Sequence, residues 1–208
     1  MKIKVCGMKN PQNIDQLGQL PIDFIGFIFF EKSPRYAVGL ELTDLSSLPV
    51  SIERVGVFVN EDFETIARLV NKYKLTHVQL HGQESVDLCL KCRKETGVKV
   101  IKAFNVSTEA DFAKTKEYTE VCDYFLFDTK TSQHGGSGIK FDWNILKAYQ
   151  ENLPFFLSGG ISGSDVESIS KLSLPRLYAL DLNSKFEIEP GLKNINMLNN
   201  FISHFKTI

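Results

Sequence analysis

Arg54-Val55-Gly56-Val57-Phe58-Val59, Glu61–Tyr73 and Thr76-His77-Val78-Gln79-Leu80 read as strand, helix and strand. The two short runs are rich in β-branched and apolar residues on both faces, the pattern of strands buried in a parallel sheet. Between them Phe63, Ile66, Leu69 and Val70 recur at helical spacing. Two parallel strands joined through a helix form a right-handed crossover unit.

The unit repeats in both directions. Toward the N-terminus, Lys2–Cys6 is a strand, and Asn10 with Pro11 opens a helix, proline standing at its tolerated first position. Asp23–Phe30 is a second apolar strand, followed by a loop over Glu31–Gly39 and a helix near Leu42–Leu48. Toward the C-terminus a helix over Glu84–Glu95 leads to four more pairs. These are Lys99–Phe104 with Glu109–Tyr118, Tyr124–Phe127 with Trp143–Gln150, Phe155–Leu157 with Asp165–Leu172, and Leu177–Leu182 with Ile195–Phe205. Eight units with no linker between them predict an α/β chain folded as one closed (β/α)8 TIM barrel over residues 1–208. An open doubly wound sheet is disfavoured, because no dinucleotide-type glycine fingerprint follows the first strand.

Composition narrows the function. The 208 residues are 43% hydrophobic and 24% charged, a globular balance. The net charge of −1 lacks the basic excess that drives nucleic-acid or membrane-surface binding, so neither partner is expected. No apolar run approaches the roughly 18 residues of a membrane span. The chain starts directly in a strand-like run, and its four cysteines have no disulfide-framework spacing; a reducing, cytoplasmic setting is expected. Cys89-Leu90-Lys91-Cys92 lies in a helical stretch without a second ligand pair, so it reads as helix residues packed inward and no metal is expected.

A barrel builds its active site at the C-terminal ends of its strands, and polar residues collect there. Cys6-Gly7 ends the first strand, and a thiol at that point is a candidate base or nucleophile. Arg35, in Ser33-Pro34-Arg35-Tyr36, offers a planar fork for a carboxylate or phosphate. His81 follows the fourth strand as a candidate acid, base or donor. Asp128 ends the apolar run Tyr124–Phe127, and desolvation at the barrel mouth favours a carboxyl able to donate a proton. Gly135-Gly136-Ser137-Gly138 and Ser158-Gly159-Gly160-Ile161 let backbone amides approach an anion. Asp181-Leu182-Asn183-Ser184 ends the eighth strand, and the loops after strands seven and eight are where such barrels hold phosphate.

With these residues assembled, the chain resembles the phosphoribosylanthranilate isomerase family of tryptophan biosynthesis, nearly end to end. The resemblance is carried by Lys4-Val5-Cys6-Gly7-Met8, Gly26-Phe27-Ile28-Phe29 and Lys32-Ser33-Pro34-Arg35-Tyr36. Val55–Asn60, Val78-Gln79-Leu80-His81-Gly82, and Phe127-Asp128 with the Gly-Gly-Ser-Gly loop and Phe141-Asp142-Trp143 continue it. Leu157–Ile161, Asp181–Ser184, Glu187 and Pro190-Gly191-Leu192-Lys193 complete it. The resemblance implies an Amadori rearrangement of N-(5-phosphoribosyl)anthranilate to 1-(2-carboxyphenylamino)-1-deoxyribulose 5-phosphate, with no cofactor and no metal. It implies Asp128 as general acid and Cys6 as general base. Arg35 would face the anthranilate carboxylate, Gly159, Gly160 and Ser184 would lie near the phosphate, and His81, Gly136 and Asn183 are further substrate-binding candidates. Lys185 and Asn194 depart from the family pattern, which more often has Gly and Asp there. The only partner implied is this small phosphorylated sugar-anthranilate, with the chain acting as a monomer or a homodimer.

Two other readings compete. The histidine-pathway isomerase performs the same rearrangement on a phosphoribosyl imidazole, but usually with two aspartates, and the first strand here ends in Cys6. A non-catalytic phosphate-binding barrel would need no acid and base at separate strand ends.

Overall fold

The computed structural model describes residues 1–128 and 142–207. Eight parallel strands close into a ring in chain order: β1 (Lys2–Cys6), β2 (Phe24–Ile28), β3 (Glu53–Phe58), β4 (His77–Leu80), β5 (Lys99–Asn105), β6 (Tyr124–Asp128), β7 (Phe155–Ser158) and β8 (Leu177–Leu182). The ring closes where β1 pairs with β8, from Lys2 opposite Ala179 to Val5 opposite Leu182.

Side chains alternate across each strand, and the alternation sorts two cores. Phe24, Val55, Ile101, Ala103, Tyr124, Leu126, Phe156 and Ala179 fill the barrel interior. Ile3, Val5, Ile25, Phe27, Val78, Leu80, Phe125, Phe127, Leu180 and Leu182 belong to the larger outer core against the helices. The same period carries Cys6, Asp128, Ser158 and Asp181 to the inner face near the strand ends.

Helices α1 (Pro11–Leu17), α2 (Phe63–Tyr73), α3 (Val86–Thr96), α4 (Val166–Ser170) and α5 (Ile195–Thr207) cover the barrel. The first three start at side-chain caps, with Asn10, Asp62 and Ser85 accepting from the amides of Asn13, Thr65 and Leu88. Cys89 and Cys92 are buried residues of α3, as their helical spacing suggests. Three expected helices are instead 3-10 segments: Leu42–Leu45, Glu109–Tyr118 and Trp143–Ala148. The reason is visible in Glu109–Tyr118, which buries only Phe112 and Thr115. That three-residue step matches the 3-10 repeat and gives no wide apolar stripe to fix an α-helix. After β8, a short hairpin absent from the sequence reading, β9 (Glu187–Glu189) and β10 (Leu192–Lys193), precedes α5. Among the described residues no helix is long and apolar enough to cross a membrane.

The opposite end of the barrel holds a second buried polar group. His77, only 2% exposed, lies edge-on to Phe24 with ring centroids 5.3 Å apart. Burial pushes its imidazole down from 6.5 to about 4, with Glu53 pulling the other way. The unfolded chain therefore takes up a proton near 6.5 that the folded chain refuses until about 4. Stability contributed by neutral His77 is complete above that window and lost as the pH falls through it. Thermal melts between pH 7 and 4 should show this loss, up to ~3 kcal/mol, and His77→Gln should flatten it.

Candidate active site

At the C-terminal mouth a cavity of about 240 Å³ is lined by residues from most of the strands and the loops after them. Cys6, Arg35, His81, Asp128, Gly159, Gly160, Asn183 and Ser184 all line it. Gly136 lies outside the described residues. Sequence reasoning did not single out Gln79 and Ser158, which also line the cavity, or Lys4, which stands behind it. Their signal was the period of two: Lys4 shares a face with Cys6, Gln79 with His81, and Ser158 pairs with Asp128 across β6 and β7.

Cys6 is 3% exposed. Burial pushes its thiol up from 9.0, and the neighbouring Lys4 ammonium works against that rise. Lys4 is fully buried and paired with Asp181 at 2.9 Å. Gly26 of β2 makes room for the sulfur, since a Cβ there would stand 2.7 Å from Cys6 Sγ.

Arg35 reaches the cavity already bonded. Its Nε donates to both Glu187 carboxylate oxygens, at 2.9 and 3.0 Å, and its Nη2 donates to Oε2 at 2.7 Å. Glu187 also accepts from Lys193 at 2.7 Å, and Lys193 donates to Asn183 at 2.7 Å. Burial would raise the Glu187 carboxyl, but the Arg35 and Lys193 hydrogen bonds prevail and hold it near 2. The β9–β10 hairpin thus supplies an anion that fixes the plane of the guanidinium, while Nη1 stays outside that pair.

On the opposite side Asp128 is 4% exposed. His81 Nε2 stands 3.7 Å from its Oδ2, an ion-pair separation and not a hydrogen bond. Gln79 Nε2 lies 3.0 Å from His81 Nδ1 and orients the ring from below. The loop that carries His81 is clasped from the outer face. Lys102 donates to the carbonyls of Leu80, Gly82 and Ala103 and to Glu84. Glu84 in turn accepts from the amides of Asn60 and Gly82.

Between these two sides the chain turns at Gly159 and Gly160, both at positive φ (101° and 69°), where a Cβ would be strained. Among the described residues a Cβ on Gly160 would meet nothing within 4 Å.

A closed parallel barrel with a thiol and a carboxyl at one polar mouth, beside glycine turns that suit an anion, is the build of a (β/α)8-barrel enzyme. The profile of the N-(5′-phosphoribosyl)anthranilate (PRA) isomerase family matches residues 3–204, and the chain belongs to that family of isomerases. The N-(5′-phosphoribosyl)anthranilate isomerase of Parabacteroides distasonis is 48% identical over 204 residues, covering 97% of this chain and 92% of that one. A crystal structure of phosphoribosyl anthranilate isomerase in complex with reduced 1-(o-carboxyphenylamino)-1-deoxyribulose 5-phosphate superposes with a TM-score of 0.82 at 32% identity, covering both chains in full. Monomers of the dimeric enzyme from Thermotoga maritima superpose with a TM-score of 0.81 at 32% identity, again over both whole chains.

The clearance around the thiol is directly testable. Gly26→Ala should displace the Cys6 sulfur or part β1 from β2. The expected cost is roughly 1–3 kcal/mol of stability, read as a lower denaturation midpoint, and a crystal structure of the variant should show Sγ moved. An unmoved sulfur at full stability would mean the contact is not tight.

Proposed function

We propose that the chain catalyses the Amadori rearrangement of N-(5-phosphoribosyl)anthranilate to 1-(2-carboxyphenylamino)-1-deoxyribulose 5-phosphate in L-tryptophan biosynthesis, with Asp128 as general acid and Cys6 as general base. One observation carries the assignment of roles: Cys6 on β1 and Asp128 on β6, three places apart around the ring, line the same cavity. The reaction needs that separation, because a proton is delivered to one substrate atom and removed from another. The ligand of the solved relative, a reduced form of the product, supports the same substrate for this chain.

Asp128 gives a proton to the furanose ring oxygen as the C1–O bond breaks. The anthranilate nitrogen supplies its lone pair to C1 and forms the Schiff base. The Cys6 thiolate then takes the C2 proton, and the electrons of that C–H bond neutralise the iminium as an enolamine. Ketonisation puts a proton on C1 and removes one from the C2 hydroxyl, so the substrate neither gains nor loses protons or electrons overall. His81, beside Asp128, is placed to bind the opening sugar near the acid. Gly159, Gly160, Asn183 and Ser184 border the part of the cavity suited to the phosphate, where binding energy far from the bond changes fixes the reacting carbon. Arg35, held in plane by Glu187, presents its remaining edge to the anthranilate carboxylate. Lys185, exposed beside Ser184, adds a positive charge to the phosphate end. The chain works on this small molecule as a monomer or a homodimer, without a cofactor.

The test is turnover of N-(5-phosphoribosyl)anthranilate followed by the loss of anthranilate fluorescence, with the phosphoribosyl imidazole substrate as the control. Turnover of the imidazole compound alone would overturn the assignment. Asp128→Asn and Cys6→Ser should each lower kcat by about 10²–10⁴-fold and leave substrate affinity within a few-fold. Arg35→Ala should act chiefly on KM, by roughly 10–100-fold. Only the thiolate accepts the C2 proton, and burial pushes the Cys6 thiol up from 9.0, while Asp128 must keep its proton to act; the inflection that Cys6 sets in kcat/KM therefore lies on the alkaline side. In Cys6→Ser that inflection should disappear.

A further inference from the structure

A lysine and an aspartate form an ion pair at the centre of the barrel, behind the cavity wall. Lys4 and Asp181 occupy paired positions on β1 and β8, and their side chains are 0% and 5% exposed. A buried pair of this kind is poor scaffolding, because removing two charges from water costs about as much as their attraction returns. The apolar interior just below, around Phe24, Leu126 and Phe156, shows that the barrel packs without ions one layer down. The pair therefore calls for an explanation in the site it adjoins.

Lys4 precedes Cys6 by two residues on the same inward face of β1, its ammonium is bonded to Asp181, and its charge acts on the Cys6 sulfur. Among the described residues four charged groups act on Cys6: Lys4 from β1, Asp181 from β8, Lys193 from β10 and Arg35 from the loop after β2. Arg35 and Lys193 are both committed to Glu187. Asp181 opposes a negative sulfur. Lys4 is the cation that shares the inward face of β1 with the thiol. Burial works against its charge, but Asp181 and Cys6 hold its affinity for a proton above the ordinary lysine value.

We propose that Lys4 is a positioning residue for the base: its ammonium, paired with Asp181, is the counter-ion on which the Cys6 thiolate forms. This rests on Cys6 acting as the base. Asp181 repels the anion that Lys4 attracts, so the two partners act on Cys6 with opposite signs. The step itself is a proton leaving sulfur for solvent, with the negative charge left beside an ammonium already in place.

The opposing signs make a sharp test. Iodoacetamide alkylation of Cys6, followed across pH by mass spectrometry of the Cys6 peptide, reads thiolate formation without any substrate. Lys4→Met should move the alkylation midpoint upward by at least about one pH unit, a tenfold slower reaction at neutral pH. Asp181→Asn should move it downward and speed the reaction. A merely structural disturbance would shift both variants the same way, and that result, or an unmoved midpoint in Lys4→Met, overturns the proposal. Should Lys4→Met not fold, the charge-free double variant Lys4→Met/Asp181→Asn is compared with Asp181→Asn alone; slower alkylation in the double variant supports the proposal and equal rates reject it. The alkaline inflection of kcat/KM should follow the alkylation midpoints. If alkylation shifts as expected while kcat/KM stays put, Lys4 remains the counter-ion of the thiolate and the reading of Cys6 as the base is what fails.

Discussion

The pairing of β1 with β8 is the constraint on which everything else depends. Until that ladder forms, from Lys2 opposite Ala179 to Val5 opposite Leu182, the chain is an open sheet with an unpaired edge at each end. Once it forms, residues from the two extremes of the sequence become neighbours, and the ion pair of Lys4 with Asp181 spans the seam. The closure also fixes which face of every strand is interior. In a period of two there is no intermediate choice: a one-residue slip would send Cys6 to the helices and Val5 to the mouth.

Charge in the mouth is organised in pairs and not scattered. Lys4 and Asp181 form one unit, and Arg35, Glu187 and Lys193 form another joined to Asn183. Lys4, Arg35 and Lys193 each have a protein anion, so none of the three needs a substrate to hold it in place. Such a site is set before ligand arrives, which is the electrostatic condition for acting on developing charge without rearrangement. Asp128 and His81 stand on the far side, on β6 and after β4.

The barrel was legible in the sequence because parallel strands buried on both faces leave unbroken apolar runs, and all eight runs lie where strands form. The strand ends were legible because a polar residue directly after such a run has only the mouth to go to, as Cys6, His81 and Asp128 do. Helix type was less legible. Glu109–Tyr118 has helix-forming residues, but only Phe112 and Thr115 are buried, and that step settles into a 3-10 helix. The β9–β10 hairpin gave no hydrophobic pattern at all, being five residues with Glu187 and Lys193 turned toward the site. Its role depends on a partner, Arg35, far away in the chain. Lys4 was passed over for a similar reason: a lysine in a strand reads as a solvated residue until the opposite strand reveals Asp181.

Lys102 sits on the outward face of β5 yet grips the turn that bears His81 through three carbonyls and Glu84. Alternate positions along one strand thus serve different masters, the outward ones bracing the rim and the inward ones meeting the ligand. The two sets are coupled through the turn's position and not through shared side chains. Inward residues can accordingly be exchanged to fit a new sugar phosphate while the brace keeps the rim in shape. This modularity gives a barrel of about two hundred residues room to change its chemistry without refounding its architecture.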